Sequence, residues 1–301
     1  MVFSNILFPV DFSEACGALK SEVEWMARKF NSTVTLLHVF EIPQAWYGMS
    51  EASAMSMEWI ASMFWEANKK LDNFELDVPA DRVRRVTLEG QPAAEICTWL
   101  RQHPVDLLAM AAHGHGAIEG LLGSVTAKVL HKTHVPMWVH PAHAPARSAD
   151  GVFKIVCGID LGEEAIHLLC YAQQMGEAFG ATVTLVHSLP VRQNKHFDSE
   201  LLRVLTRMAR EEIASAQARA GTNFAVTVTG SPVGHSLAET AAQERANLIV
   251  IGRGHSQEFL GRLRTHTYSL LNEVTCPVVS FCQARADATA SDGGSIGAVC
   301  G

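Results

Sequence analysis

From about position 150 the chain repeats itself. Residues 5–11 read NILFPVD and residues 154–160 read KIVCGID. Residues 33–39 read TVTLLHV and residues 182–188 read TVTLVHS, and both pairs lie 149 positions apart. Further on, the EGQP that ends at Pro92 returns as the TGSP that ends at Pro232. THVPMWV around Pro136 returns as VTCPVVS around Pro277, so these later offsets are 140 and 141. A period of this length is too long for a solenoid unit and matches one whole domain. One architecture therefore has to accommodate two diverged sequences. The expected organisation is a domain at 1–142, a linker at 143–152, a second domain at 153–283 and a disordered tail at 284–301. Linker and tail are rich in Ala, Ser, Gly and Asp and carry little to bury.

Within each copy, short apolar runs alternate with segments of helical periodicity. Ile6–Val10 predicts a strand ending at Asp11, which is expected to cap the next helix with Glu14 as its capping-box partner. Leu19, Val23, Met26, Ala27 and Phe30 follow at helical spacing. Thr33–Val39, Val83–Leu88, Leu107–Met110 and Val135–Val139 read as further strands, with helices opening at Pro92 and near Ser124. The second copy places its strands near 154–159, 182–188, 224–229, 248–251 and 278–282. Such alternation implies an α/β fold: two tandem copies of an open, mostly parallel five-stranded sheet with helices on both faces. The last strands of the two copies, Val135–Val139 and Val278–Phe281, are expected to pair as an internal pseudo-dimer, since each would otherwise be an exposed edge.

Charge and cysteine usage exclude several classes. A net charge of −7 argues against a nucleic-acid backbone as partner. The absence of an 18-residue apolar run argues against a membrane span. Seven cysteines, none in a CxxC pair, indicate neither a zinc site nor a disulfide framework. With a beginning that lacks a signal-peptide pattern, they point to a cytoplasmic location. His131, His134, His140 and His143 lie close in sequence but form no metal-binding spacing, so no metal site is expected. His38 and His187 recur at equivalent strand positions and read as core histidines.

In an open parallel sheet, ligands sit beyond the carboxyl ends of the strands where strand order reverses. Three features of the first copy converge there: Pro9, Val10 and Asp11; Val39; and MAAHGHGAIEGLLGSVT from Met110 to Thr126. The last runs from a buried strand to Gly123-Ser124 at a helix start. Free N–H groups and the helix dipole make that point a site for an anion, and the hydroxyls of Ser124 and Thr126 are candidate donors to it.

The FPVDFSE start, the LLHV strand, AAHGHG…LLGSVTAKVL and the THVPMWVH ending resemble the universal stress protein family, once per copy over nearly the whole chain. The resemblance implies an adenine nucleotide alpha hydrolase-like, Rossmann-like fold. It also implies a regulator of stress responses that binds ATP, usually with a divalent cation such as Mg²⁺. ATP-binding members carry G-x-x-G-x9-G-[ST]. On that pattern Ala111, Gly114 and Gly123-Ser124 take the conserved places, and the implied nucleotide contacts are Pro9, Val10, Asp11, Val39, Met110, Ala111, Gly114, Gly123, Ser124 and Val125. Copy one departs at two points: the first glycine is Ala111, and only eight residues, His115–Leu122, separate Gly114 from Gly123.

Copy two departs further. His255 stands at the second glycine, Thr265-His266 at the Gly-Ser pair and Ser188 at Val39, although Asp160 is retained. ATP is therefore expected in domain 1 alone, with domain 2 structural. Two rival readings are a slow ATPase or self-phosphorylating enzyme using Ser124 or Thr126 with His113 or His115 as base, and a nucleotide-independent interaction scaffold. The segment from Trp46 to Trp65 carries more aromatic and methionine residues than one apolar stripe requires. It predicts packing against the other domain of the chain, or a surface for an unidentified protein partner or a homodimer. The matching stretch of copy two is expected to bury Leu201, Leu202, Leu205 and Met208 as a single stripe.

Overall fold

The computed structural model describes residues 3–42, 53–114, 122–141, 144, 151–162, 164–189, 199–253, 270–271 and 273–282, with the side chains of 53–57 excepted. The chain divides into two compact units between residues 142 and 143. In the first, β1 (Asn5–Pro9), α1 (Glu14–Phe30), β2 (Thr33–Phe40), α2 (Ser53–Asp72) and β3 (Val83–Glu89) are followed by α3 (Pro92–Gln102), β4 (Leu107–Ala111), α4 (Ser124–Lys132) and β5 (Met137–His140). The strands run in the order β3-β2-β1-β4-β5, and every pairing is parallel. In the second unit β6 (Phe153–Gly158), α5 (Ala165–Phe179), β7 (Ala181–Ser188), α6 (Ser199–Ala220), β8 (Ala225–Thr229), α7 (Val233–Glu244), β9 (Leu248–Gly252) and β10 (Val278–Phe281) repeat the plan. Their order is β8-β7-β6-β9-β10, again all parallel. The α/β class and parallel sheets expected from the alternation are present.

The order of β1, β2 and β3 runs outward one way, and β4 and β5 then run the other. Right-handed crossovers therefore place α1 and α2 on one face and α3 and α4 on the opposite one. A strand covered on both faces has to be apolar throughout. Leu7, Phe8, Leu36, Leu107 and Leu108 are accordingly fully buried. Phe8 meets Phe74 edge to face, with ring centroids 5.9 Å apart.

Two local expectations are corrected. Asp11 does not cap α1: Ser13 is the N-cap, its hydroxyl accepting from the Cys16 N–H at 3.2 Å. Asp11 instead accepts from Ser13 through Oδ1, at 3.0 Å from the N–H and 2.6 Å from the hydroxyl, so the Asp11–Glu14 box does not form. The second correction concerns α6. It buries Ala209, Ile213, Gln217 and Ala220, while Leu201, Leu202 and Met208 are exposed. A helix of 22 residues spans about 33 Å, roughly twice the length of the five-residue β8 it covers, so its first half has little sheet to pack on.

Candidate functional site

A cavity of about 600 Å³ opens at the carboxyl end of the first sheet. It lies at the switch point, between the segments that leave β1 and β4. Pro9, Val10 and Asp11 enter it from β1, Val39 from β2, and Met110 and Ala111 from β4. Gly114, Gly123, Ser124 and Val125 complete it from the loop and the start of α4. All ten residues named from the sequence thus line one cavity. His113, named in the sequence only as a candidate base, lines it too, and His38, Glu41, Cys16, Pro92 and Ile96 line it without having carried such a signal. These enter because strand ends and helix starts from both faces meet there, which no local motif encodes.

Neither loop glycine of the pattern is needed for a left-handed backbone, since Gly114 is not in that region and Gly123 has φ −56°. Both are needed for space. A Cβ on Gly114 would overlap Asp11 Oδ2. One on Gly123 would stand 3.2 Å from the Ala112 carbonyl oxygen and 3.6 Å from the Gly114 nitrogen. The Gly123 N–H donates to Ala112 O at 2.7 Å, folding the loop's end back onto the strand it left. Ala111, at the first glycine position, pairs with His140 as ordinary strand, so its methyl imposes no strain.

The start of α4 faces this space without a side-chain cap. The first intrahelical bond there is Ala127 N–H to Gly123 O, so the N–H groups of Ser124, Val125 and Thr126 have no acceptor within the helix. Ser124 is exposed, but Thr126 is buried, and its hydroxyl donates to Ala111 O at 2.9 Å. Thr126 is therefore corrected from a candidate phosphate donor to a tie between α4 and β4.

His38 Nδ1 lies 2.7 Å from Val10 O, so that nitrogen carries the proton and donates. The bond recurs in the second unit between His187 and Ile159 O at 2.9 Å; His187 is buried in the core as expected, whereas half-buried His38 also lines the cavity. Burial lowers the His38 pKa from 6.5. A histidine held neutral in the fold but free to charge when unfolded stabilises above its unfolded pKa, and loses that contribution as pH falls toward the folded one. Stability should therefore decline below about pH 6.5, and His38→Gln should flatten that slope in denaturant melts between pH 7 and 5. Burial also pushes the Cys16 thiol up to about 12, so it stays protonated at the cavity wall.

Among the described residues no group of three or more His, Cys, Asp or Glu could hold a metal. No described helix is long and apolar enough to cross a membrane. On α2, Ile60 and Met63 pack against Phe40, Ile42 and Ala67, while Trp59, Phe64 and Trp65 are exposed. Trp46, Tyr47, Met49, the side chains of Met55 and Met57, His115 and the copy-two positions 255 and 262–266 lie outside the described residues.

A sequence model of the universal stress protein family matches residues 3–141 and again 152–280. The chain belongs to the universal stress protein family. It is 28% identical over 154 residues to a universal stress protein of Methanocaldococcus jannaschii, a match covering 46% of this chain and 95% of the relative. It is 25% identical over 131 residues to universal stress protein A homolog 1 of Coxiella burnetii, covering 44% and 91%. A solved universal stress protein from Archaeoglobus fulgidus shares the fold across 94% of this chain and 97% of its own, with TM-score 0.62 and 18% identity.

Proposed function

We propose that the first unit binds ATP in the switch-point cavity, and that the chain is a nucleotide-responsive regulator of the stress response in which the second unit is structural. The observation that carries this reading is the uncapped start of α4 facing the cavity, at a wall where Gly114 admits Asp11 and Gly123 admits the end of β4 at close range. Exposed N–H groups at a helix start favour an anion. A volume of about 600 Å³ suits a nucleotide-sized ligand.

In this reading the amides of Ser124 and Val125 take the phosphates, while Asp11 and the Val39 backbone hold the ribose and adenine end. Mg²⁺ arrives on the phosphates, since the described residues supply no carboxylate cluster for it. In the second unit Ser188 replaces Val39, and its hydroxyl donates to Ser231 O. Calorimetric titration of the whole chain with Mg·ATP should give one site per chain. Two equivalent sites, or none, would overturn the assignment.

A further inference from the structure

We propose that Phe12 is a positioning residue for nucleotide binding, acting through Asp11; the proposal rests on the reading of the cavity given above. Three described non-glycine residues have positive φ: Phe12 at 61°, Asn31 at 55° and Arg245 at 54°. Asn31 and Arg245 close the ends of α1 and α7, where a left-handed residue is usual. Phe12 ends no helix. A bulky aromatic residue in that region is a genuine outlier, of the kind that persists only where surroundings hold it.

The surroundings are on hand. The Phe12 ring packs against His38 with centroids 4.7 Å apart, and against Phe74 at 6.2 Å. His38 is itself tied to Val10 O at 2.7 Å, two residues before the outlier. Phe12 is thus held between His38 of β2 and Phe74, just after α2, and the chain must turn sharply between Asp11 and Ser13. That turn lets Asp11 Oδ1 accept from both the Ser13 N–H and hydroxyl. It also leaves Oδ2 lying against Gly114 in the cavity wall.

The second unit provides an internal control. His187 keeps the bond to Ile159 O, and Asp160 keeps the acidic position. Yet Leu161, the counterpart of Phe12, has no positive φ, and Glu164, the N-cap of α5, makes no side-chain cap bond. The histidine bond alone does not produce the turn. Among the described residues, the first unit has a left-handed residue at this position and the second does not.

The test separates backbone from ring. Phe12→Asn keeps a residue that tolerates the left-handed region, whereas β-branched Phe12→Val disfavours it. Phe12→Val should weaken Mg·ATP binding by about tenfold, and Phe12→Asn should stay within about threefold of the parent. Asp11→Ala combined with Phe12→Val should bind no more weakly than Asp11→Ala alone, because the effect passes through Asp11. If Phe12→Val does not fold, Phe12→Ala is read in its place. Additive losses, or equal losses for Val and Asn, would overturn the proposal. The amide resonance of Gly114 in the nucleotide-free chain gives a readout independent of binding: Val should shift it and Asn should not. If the parent chain binds no ATP, the cavity reading fails, while an unmoved Gly114 resonance in Phe12→Val would separately refute the role of Phe12.

Discussion

Gly123→Val should reduce Mg·ATP affinity by roughly a hundredfold while leaving the chain folded. Gly123 ends the loop with its own N–H on Ala112 O at 2.7 Å, and a Cβ there would already stand 3.2 Å from that same oxygen. Its φ of −56° is open to valine, so backbone strain is not the issue. Two γ-methyls beyond that Cβ have no room, and the residue must move away from the strand end, taking the first turn of α4 with it. Losing two charge-assisted bonds from the Ser124 and Val125 amides, at about 1.5 kcal/mol each, gives about 3 kcal/mol, which is the hundredfold. Overpacking should cost about 1–3 kcal/mol of stability, read as a lowered but cooperative melt. Unchanged affinity by calorimetry would mean that the helix start does not hold the phosphates.

Phe8→Ala should cost about 3–5 kcal/mol in denaturant unfolding, whereas Trp65→Ala should cost less than about 1 kcal/mol. Phe8 is fully buried in β1 and set edge to face on Phe74. Its removal leaves a void between the sheet and the segment after α2. Trp65 is 61% exposed, with the Lys69 ammonium 4.9 Å from its ring centroid. An exposed cation–aromatic pair contributes only about 0.5–1 kcal/mol. If α2 is an association surface, polar replacement of Trp59 and Trp65 should lower the apparent mass on sizing chromatography with little change in melting. A melt that collapses with unchanged association would return both residues to the core.

Much of this was legible in the amino-acid sequence because it is local or repeated. The duplication is read from recurring strings. The strands are short apolar runs, and their alternation with helical spacing implies a parallel sheet. The ten candidate site residues sit at strand ends and in one glycine loop, so topology alone brings them to the same edge. What escaped is decided by contacts between residues far apart in the chain. Asp11 and Ser13 are both good caps on paper. Ser13 takes the role because Phe12, held by His38 and Phe74, turns the chain between them. Thr126 reads in the sequence as a phosphate donor, but its hydroxyl is engaged by Ala111 O, 15 residues away. The α6 stripe was periodic enough for a core face, but whether a stripe is covered depends on how far the neighbouring sheet extends, and β8 is only five residues long. Local sequence sets which conformations are cheap at each position; the long-range contacts decide which one is kept, and at Phe12 they hold one that the local preference disfavours.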